Sequence, residues 1–353
     1  MDAAFWKGRR ILVTGHTGFK GSWLTLWLSR LGAEVTGYAL APPTTPSLFA
    51  QAEIGSVVAH HEADIRDLAA LRRVFETSRP QIVFHLAAQA IVRQSYADPV
   101  ETYATNLMGT VNVLEAIRHT PSIEAAVMIT TDKVYDNKEW AWGYRETDRL
   151  GGFDPYSNSK ACCELAIDAY RRSFFDAQKL VVGSARAGNV IGGGDWARDR
   201  LIPDIVRGFM AGQQVVIRYP DAVRPWQHVL EPLHGYLVIA EAIVKQRLQA
   251  DPTFNFGPEE TDAQPVRAIV EHMRTRWGNG AAWTLDNAAN PHEANQLRLD
   301  CSKARQVLKW TPKLPLSQAL DWVVEWYQGH HRGETARTLS EAQIDRYQDI
   351  VTQ

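Results

Sequence analysis

The sequence predicts an α/β protein: a Rossmann-type, doubly wound parallel sheet followed by a smaller, mixed α/β C-terminal lobe. The first observation is a short apolar segment at 11–14 that ends at glycines and is followed by helical periodicity. The second is the repetition of this strand-and-helix alternation up to about residue 186. The third is a change at about residue 189 to Gly-rich segments interrupted by prolines. Such alternation favours a parallel sheet with helices on both faces.

The N-terminal half contains a series of apolar segments with the length of buried strands. Predicted strands cover residues 11–14, 34–40, 57–63, 82–87, 125–130 and 180–186, and helical patterns cover residues 23–31, 68–77 and 111–118. Gly32 follows the first of these helices in the position of a C-cap. The order of these elements predicts repeated β-α units.

The C-terminal half has shorter and more widely spaced elements. Predicted strands cover residues 215–219 and 254–256, and predicted helices cover residues 233–246 and 266–277. A length of 353 residues favours two lobes with a cleft between them. We therefore predict a first domain at 1–188, a second lobe at 189–328 with some segments returning to the first domain, and a peripheral tail at 329–353.

Composition and charge exclude several classes of protein. A hydrophobic fraction of 45% and a charged fraction of 22% are ordinary for a globular chain and exclude disordered and fibrous classes. The net charge of -2 gives no general field for nucleic acid or for an acidic membrane, so we expect neither as a partner. An anionic ligand must instead be bound by locally placed Arg and Lys. No apolar run approaches the roughly 20 residues of a membrane span, and no signal peptide is visible.

The cysteines and histidines do not predict a metal site or a disulfide framework. The three cysteines are Cys162, Cys163 and Cys301, and no CxxC pair is present. The paired histidines at 60–61 and 330–331 lack partners at ligand spacing. We expect no metal, and a reducing, cytoplasmic location.

A glycine-rich loop follows the first predicted strand and opens the first predicted helix. Its spacing is GxxGxxG, and glycines in this setting let backbone N–H groups approach a pyrophosphate at the positive end of the helix. A plain tight turn is the alternative interpretation of a glycine triplet. The position directly after a buried strand favours cofactor binding by Gly15, Thr17, Gly18, Phe19, Lys20 and Gly21.

The cofactor is expected to be NAD, with NADP left open. The acidic residue that holds the adenosine ribose in many NAD proteins is not evident at 37–42, and neither is an arginine for a 2′-phosphate. Asp64 and Ile65 follow the third predicted strand and are candidates for contact with adenine. A helix-capping role is the alternative for Asp64.

A predicted helix start places a tyrosine and a lysine one turn apart. Asp154 is the expected N-cap and Pro155 the first helical residue, so Tyr156 and Lys160 share one face. An ammonium beside a phenol is expected to lower its pKa from about 10, which lets the phenolate take a hydroxyl proton as hydride leaves the same carbon. The pair alone is weak evidence. Two further features support a catalytic role for the pair: the glycine loop upstream, and Thr131, which lies at a strand end between that loop and the pair.

Several segments together resemble the extended short-chain dehydrogenase/reductase family that modifies nucleotide sugars. The resemblance spans about residues 7–327 and rests on the glycine loop, the segment HLAAQ at 85–89, Asn106, Thr131, and the pair Tyr156 and Lys160. Within that family, the segments at 14–24, 131–135 and 224–229 are similar to those of enzymes that dehydrate CDP-glucose. The resemblance adds Leu86, Ala87 and Ala88 to the expected cofactor site.

The resemblance implies a closed redox cycle on a CDP-linked glucose. NAD takes a hydride from C4, water is lost from C5 and C6, and the hydride returns to C6. By this resemblance Tyr156 is the base at the C4 hydroxyl, Lys160 lowers its pKa and holds the cofactor ribose, and Thr131 orients the C4 oxygen. Asp132 protonates the departing C6 hydroxyl, which requires a raised pKa.

Lys133 occupies a position where related dTDP-glucose dehydratases carry the glutamate assigned as the C5 base. A lysine can serve as that base if desolvation lowers its pKa, or it can stabilise the enolate while another group removes the proton. The third alternative is a solvated loop cation. The position directly after Asp132 argues for one of the first two roles.

The two phosphates of a nucleotide sugar favour arginine forks. The expected substrate contacts are Gln89 and Ser95 near the hexose, Asn189 at the lobe junction, and Arg200, Arg218, Arg224, His292 and Glu293 in the second lobe. For each of them a surface or loop-capping role is the alternative. On this basis the domain at 1–188 binds NAD and carries the catalytic residues, and the lobe at 189–328 mainly binds the nucleotide sugar.

The resemblance also implies a biological setting and leaves alternatives. Helical segments near 106–118 and 156–174 form the dimer contact in relatives, so a homodimer or homotetramer is expected, and the product feeds bacterial O-antigen polysaccharide. One alternative is a 4-epimerase, or a dehydratase of a dTDP-, UDP- or GDP-linked hexose. Another is a redox-sensing protein that holds the dinucleotide without turnover, although a sensor has no need of Thr131, Tyr156 and Lys160.

Overall fold

The computed structural model describes residues 2–248, 251–278, 280–286 and 296–352. Their strands, in chain order, are β1 (Arg10–Thr14), β2 (Glu34–Ala39), β3 (Ala59–Glu62), β4 (Ile82–His85), β5 (Ala125–Ile129), β6 (Val182–Ala187), β7 (Val190–Ile191), β8 (Val215–Ile217), β9 (Val223–Arg224), β10 (Gln227–His228), β11 (Thr253–Phe256), β12 (Gln264–Pro265) and β13 (Trp283–Leu285). Most of the predicted strands are therefore present within a few residues of their expected bounds.

The helices alternate with these strands in the first half of the chain. They are α1 (Ala3–Trp6), α2 (Phe19–Arg30), α3 (Leu48–Gln51), α4 (Leu68–Ser78), α5 (Val92–Ala97), α6 (Pro99–Tyr103), α7 (Gly109–Arg118), α8 (Pro155–Tyr170), α9 (Asp176–Gln178), α10 (Leu201–Met210), α11 (Leu230–Val244), α12 (Val266–Trp277), α13 (Leu316–His331) and α14 (Ala336–Thr352). Single 3-10 turns include Asp132–Val134, and a π-helical turn at Ala104–Met108 joins α6 to α7. In the described part of the chain, none of the helices combines the length and apolar character needed to span a membrane.

The main sheet has seven strands in the order β3-β2-β1-β4-β5-β6-β11. Every pairing in it is parallel. The chain winds outward from β1 in one direction and then, starting at β4, in the other, which is the doubly wound arrangement. The predicted fold class is confirmed.

Both faces of the central strands are buried. Leu12 of β1 packs into the core on one side of the sheet, whereas Ile11 and Val13 pack into the larger core on the other side. Side chains of a strand point alternately to its two faces, so a strand between two cores is apolar at every position. The continuous apolar runs in the sequence reflect this burial.

The two edge strands of the sheet add to what the sequence predicted. The segment at 57–63 was expected to be buried, but β3 is a largely exposed edge strand, with β2 as its neighbour. Some segments of 189–328 were expected to return to the first domain without being identified, and β11 is such a segment, since it pairs with β6 at the opposite edge of the main sheet. Apolar patterns indicate the type of an element and do not reveal its partner.

The second lobe is built from small sheets and helices after β6. Its two-stranded sheets pair β7 with β10, β8 with β13 and β9 with β12. Helix α14 in the tail packs through the buried side chains Ile344 and Tyr347, and Asp345 forms an ion pair with Arg30 of α2. The tail helix is therefore part of the packed structure around the first domain.

Candidate active site

A cavity of about 1110 Å³ opens at the carboxyl ends of the central strands, between the main sheet and the second lobe. The strand order reverses there between β1 and β4, which is where open α/β sheets bind ligands. The predicted residues that line it are Gly15, Thr17, Gly18, Phe19, Lys20, Gly21, Asp64, Ile65, Leu86, Ala87, Ala88, Gln89, Thr131, Asp132, Lys133, Tyr156, Asn189, Arg200, Arg218 and Arg224. Among the described residues, no cluster of His, Cys, Asp and Glu side chains is suited to hold a metal ion.

The glycine loop brings backbone against backbone at the start of α2. A Cβ atom on Gly21 would lie 2.0 Å from the carbonyl oxygen of Gly15, and a Cβ atom on Gly15 would lie 2.6 Å from the nitrogen of Ala87. Gly15 also has a φ of +75°, a conformation that favours glycine. Gly18 is the N-cap of α2 and lines the cavity. This cradle places the positive end of a helix where a pyrophosphate can bind.

The cavity wall next to the glycine loop has the features expected for an adenosine pocket without a ribose-binding carboxylate, and the Thr17 hydroxyl donates a 2.9 Å hydrogen bond to the carbonyl oxygen of Leu40 there. Strand β2 ends at Ala39, and the cavity wall continues through Leu40 and Ala41. Asp64 lines the cavity and forms an ion pair of 2.6 Å with Arg66, which holds the pKa of its carboxyl low. The N-cap of α4 is Asp67, so the capping alternative does not apply to Asp64.

Helix α8 begins as predicted and presents Tyr156 to the cavity. Asp154 is its N-cap and accepts a 2.9 Å hydrogen bond from the backbone N–H of Ser157, and Pro155 is the first helical residue. Lys160 lies one turn further along and is buried. Its ammonium donates a 3.2 Å hydrogen bond to the carbonyl oxygen of Ile129, at the end of β5.

The expected lowering of the Tyr156 pKa by Lys160 is wrong for this structure. Burial raises the pKa of Tyr156 to about 12, and the groups that act in the lowering direction are Thr131, through a hydrogen bond, and Arg200, through its charge. Burial also lowers the pKa of Lys160. Sequence spacing places the two residues on one face, but it does not reveal how far the phenol is desolvated.

A 3-10 turn after β5 carries the predicted acid. The Thr131 hydroxyl donates to Oδ1 of Asp132 at 3.0 Å and accepts the backbone N–H of Lys133 at 3.3 Å. Asp132 is buried, and burial raises the pKa of its carboxyl, as expected for a proton donor. Its other oxygen, Oδ2, is buried without a hydrogen-bond partner within the described residues. Such a carboxyl is suited to hold a proton and to donate it to a ligand.

Lys133 lines the same cavity and is only partly exposed. This placement argues against the solvated-loop interpretation. It is compatible with both chemical roles that the sequence left open for this side chain.

A buried ion pair fixes the catalytic helix to the sheet. Glu164 of α8 and Arg186 of β6 approach to 3.0 Å, and both side chains are almost fully buried. Thr130, at the end of β5, donates a hydrogen bond to Glu164, and Arg186 donates one of 2.9 Å to the hydroxyl of Tyr135. The pair therefore connects the helix of Tyr156 to both sides of the 3-10 turn that holds Asp132.

The predicted arginines of the second lobe converge on the cavity together with Asn189. Arg200 forms an ion pair of 3.0 Å with Asp195, and Arg218 lies 3.8 Å from Asp199. Arg224 is buried and donates to the carbonyl oxygen of Val223 at 3.0 Å. A group of guanidinium side chains in one wall is suited to a diphosphate.

The two residues predicted near the hexose have different environments. Gln89 lines the cavity, and its side-chain amide donates to Thr102 at 3.0 Å. Ser95 is fully buried, its hydroxyl donates to the carbonyl oxygen of Val92 at 2.7 Å, and it does not line the cavity. The structure therefore does not bring Ser95 to the site. His292 and Glu293 lie outside the described residues.

The predicted set of site residues leaves out two residues of this region. Tyr236 of α11 is buried and accepts a 3.1 Å hydrogen bond from the ammonium of Lys20. It lies in a helix that is almost entirely buried, so nothing in the sequence distinguishes it from a core tyrosine. Arg93 lines the cavity and forms an ion pair of 3.2 Å with Asp199 of the second lobe. Its position shortly after the HLAAQ segment was the available signal.

Comparison with known families places this site in context. The family model described as GDP-mannose 4,6 dehydratase matches residues 12–322. The chain belongs to this family. The predicted relationship to nucleotide-sugar-modifying short-chain dehydrogenases/reductases is confirmed.

The chain aligns with curated nucleotide-sugar dehydratases over all or most of its length. The CDP-glucose 4,6-dehydratase of Salmonella typhimurium is 51% identical over 357 aligned residues, which cover 100% of this chain and 99% of the relative. The dTDP-glucose 4,6-dehydratase of Haemophilus influenzae is 27% identical and covers 90% of this chain and 97% of the relative.

Solved structures show the same fold. The UDP-glucose 4-epimerase of Thermus thermophilus, solved as a complex with NAD, superimposes with a TM-score of 0.78 at 25% identity and covers 91% of this chain and 99% of that chain. The dTDP-glucose 4,6-dehydratase of Bacillus anthracis, also in complex with NAD, gives a TM-score of 0.77 at 22% identity and covers 93% of this chain and 99% of that chain.

Proposed function

We propose that this protein is an NAD-dependent CDP-glucose 4,6-dehydratase, which converts CDP-D-glucose to CDP-4-keto-6-deoxy-D-glucose and water. The observation that carries the proposal is the buried carboxyl of Asp132, with a raised pKa and an unpartnered Oδ2, in the cavity that Tyr156 also lines. A 4-epimerase has no use for an acid at this place. The 51% identity over the full chain with a CDP-glucose 4,6-dehydratase supports a substrate whose nucleotide base is cytosine.

The chain's own geometry fits a bound dinucleotide. The glycine cradle leaves no room for a Cβ at Gly15 or Gly21, and it faces the start of α2. Ala87 and Ala88 continue the same wall toward Asp64 and Ile65. When bound, NAD supplies a positively charged hydride acceptor for C4 of the sugar and, once reduced, a hydride donor for C6.

The catalytic residues have distinct roles in this reaction. Tyr156 removes the proton of the C4 hydroxyl as the C4 hydrogen leaves as hydride, and the positive charge of Arg200 lowers the pKa of its phenol against the effect of burial. Thr131 orients the C4 oxygen. Asp132 donates its proton to the departing C6 hydroxyl, which leaves as water. Lys133 lies on the same turn, where it can take the C5 proton or stabilise the enolate. The resulting ketone at C4 is what makes the C5 proton acidic.

The arginine wall is the proposed binding site for the substrate diphosphate. Arg200, Arg218 and Arg224 line the cavity beside Asn189. Gln89 lines the cavity on the side of the first domain and is the proposed hexose contact.

The test is turnover of a panel of nucleotide sugars by the purified protein with NAD. CDP-, dTDP-, UDP- and GDP-glucose are incubated separately, and mass spectrometry detects loss of one water while NMR identifies a 4-keto-6-deoxy product. We expect product with CDP-glucose, and a deuterium placed at C4 should appear at C6. Absence of product with CDP-glucose, or formation of a C4 epimer instead, would refute the proposal.

We also propose that the protein is a cytoplasmic homodimer that supplies a 4-keto-6-deoxy sugar for surface polysaccharide. Val100 of α6, Met108 of the adjoining π-helical turn and Leu165 of α8 are 77%, 52% and 59% exposed. Exposed apolar side chains on neighbouring helices are suited to bind a second copy. The free thiols of Cys162, Cys163 and Cys301 fit a reducing compartment.

A further inference from the structure

A carboxylate lies between two arginines at the cavity, one from each lobe. Arg93, the second residue of α5, donates a 3.2 Å hydrogen bond to Oδ1 of Asp199. Arg218, which directly follows β8, lies 3.8 Å from the same oxygen. All three residues line the cavity. Asp199 therefore connects the first domain to the second lobe through a single carboxylate oxygen.

The two contacts of Asp199 are of a kind that a ligand can replace. The distance of 3.8 Å to Arg218 is too long for a hydrogen bond, and 40% of the Asp199 side chain is exposed. Ion pairs at exposed positions contribute little to the free energy of unfolding. The carboxylate can therefore leave its two arginines at a small cost.

The carboxylate beside Arg200 is held differently. Oδ1 of Asp195 accepts a 3.1 Å hydrogen bond from the backbone N–H of Ala197, and Oδ2 lies 3.0 Å from the guanidinium of Arg200. Only 6% of the Asp195 side chain is exposed. Arg200 thus has a fixed partner that positions it, whereas the partner of Arg93 and Arg218 is open to exchange with a ligand from the cavity.

We infer that Asp199 takes the place of a phosphate oxygen of the substrate, and that the diphosphate displaces it from Arg93 and Arg218 on binding. Phosphate and carboxylate oxygens accept the same hydrogen bonds from guanidinium groups, and a diphosphate carries more negative charge than one carboxylate. This inference rests on the proposed function. It adds Arg93 of the first domain to the proposed diphosphate site and makes Asp199 an internal competitor of the substrate.

The exchange accounts for a carboxylate among residues that bind an anion. A fixed carboxylate at this place would repel the diphosphate and lower its affinity. Before the substrate binds, Asp199 offsets the mutual repulsion of two guanidinium groups that both lie within 3.8 Å of its Oδ1. Once the diphosphate is bound, its charge takes over this role and also becomes the link between the two lobes.

The first experiment compares the dissociation constant of CDP for the wild-type protein and Asp199→Asn by isothermal titration calorimetry. CDP carries the diphosphate but has no hexose that can react. Asparagine keeps the shape of aspartate and tolerates the left-handed backbone at this position, where φ is +61°, so the variant is expected to fold. We expect Asp199→Asn to bind CDP about three to ten times more tightly, because a competing charge is removed. Weaker or unchanged binding would overturn the inference, since Asp199 would then not compete with the diphosphate.

Asp221→Asn is the matched control, because it makes the same change of charge in the same lobe. Asp221 pairs with Arg267 at 3.1 Å and does not line the cavity. Its affinity for CDP should stay within about twofold of the wild-type value. Cytidine, which has no phosphate, should bind equally to the wild-type protein and to Asp199→Asn. An equal gain in Asp221→Asn, or an equal gain for cytidine, contradicts the inference, because the effect would then not come from exchange with the diphosphate.

The second experiment tests the role of Arg93. Arg93→Met should weaken CDP binding about tenfold or more, because a charge-assisted hydrogen bond to phosphate is lost. In the double variant with Asp199→Asn, the gain from removing the carboxylate should be smaller than in the wild-type background, since the two side chains act through one contact. Wild-type affinity in Arg93→Met, or fully additive effects in the double variant, would exclude this exchange.

Titration of dTDP, UDP and GDP alongside CDP separates this inference from the proposed function. If another nucleotide binds the wild-type protein more tightly than CDP, the proposed base is wrong, and the Asp199→Asn comparison is made with that nucleotide. If the wild-type protein dehydrates CDP-glucose but Asp199→Asn does not bind CDP more tightly, only the role of Asp199 fails. Absence of binding by all four nucleotides refutes both.

Discussion

At the scale of single residues, the Asp132 carboxyl separates this site from one that only oxidises and reduces. We expect Asp132→Asn to lower dehydration by about two to four orders of magnitude, because the amide cannot protonate the leaving hydroxyl. Removal of hydride from C4 should remain measurable as NADH absorbance in a single turnover, since Tyr156 is unchanged.

The matched control for this change is Asp136→Asn, which alters a carboxylate four residues further along the same segment. Asp136 forms a 3.0 Å ion pair with Lys138 and does not line the cavity. Asp136→Asn should therefore keep the wild-type rate. Unaltered turnover in Asp132→Asn would remove Asp132 from the mechanism.

The sequence was more informative about which residues meet than about their electrostatics. The motifs predicted one shared site for Thr131, Asp132, Lys133 and Tyr156, and these four residues line one cavity. The predicted lowering of the Tyr156 pKa was wrong, because burial raises this pKa more than the nearby charges lower it. The burial of a side chain depends on elements that are far away in the chain. Ser95 was predicted to contact the hexose, but it is buried and its hydroxyl donates a hydrogen bond to the carbonyl oxygen of Val92.

At the scale of elements, helix signals with local causes were predicted well. Helix α12 has the predicted bounds, and α8 begins with the predicted cap and proline. The sequence did not identify β11 as a segment that returns to the first domain, because its pairing with β6 joins residues far apart in sequence. Local patterns determine where an element begins, whereas long-range packing determines its neighbours.

The attachment of the tail helix to α11 gives a prediction at this scale. Glu231 of α11 is buried and accepts hydrogen bonds from the backbone N–H groups of Lys313 and Leu314 and from the hydroxyl of Tyr347 in α14. Burial raises the pKa of Glu231 from its ordinary value of 4.5 to about 7. The folded state therefore binds an additional proton between these pH values.

A raised folded-state pKa fixes the sign of the pH dependence. The contribution of Glu231 to the free energy of unfolding is fully present below about pH 4.5 and is lost as the pH rises through about 7. Glu231→Gln does not titrate, so its melting temperature relative to the wild-type protein should rise between about pH 5 and about pH 8. Scanning calorimetry at several pH values measures this difference.

Glu325→Gln removes an exposed carboxylate on the neighbouring helix α13, where Glu325 pairs with Arg346 of α14. In this control the difference from the wild-type protein should stay constant over the same range. A Glu231→Gln difference that stays equally constant would show that Glu231 does not take up a proton on folding.

At the scale of the whole molecule, the order of elements was enough to predict the doubly wound sheet, and the chain length favoured two lobes with a cleft between them. The division into lobes was harder to infer, because β11 and the tail helix return to the first domain after the second lobe has begun. The residue pattern alone does not show which surface binds a second subunit. The apolar side chains that remain exposed after folding indicate such a surface.

The proposed homodimer makes the last prediction. Leu165 is 59% exposed on α8, and Val100 and Met108 add apolar surface on the adjoining helices. The wild-type chain of 39.6 kDa should have twice this mass in size-exclusion chromatography with light scattering. Leu165→Lys combined with Val100→Lys should shift the protein to monomer, because two buried ammonium groups per subunit would lose hydration without gaining partners.

Val307→Lys is the control for a general effect of added charge, since Val307 is 50% exposed in the π-helical turn at Ala304–Leu308 and does not line the cavity. It should leave the mass unchanged. If the wild-type protein is monomeric, or if Val307→Lys dissociates it while the double variant does not, the helix face of α6 and α8 is not the interface. Because α8 also carries Tyr156, loss of the dimer should lower dehydration as well as mass, which connects assembly to the active site through one helix.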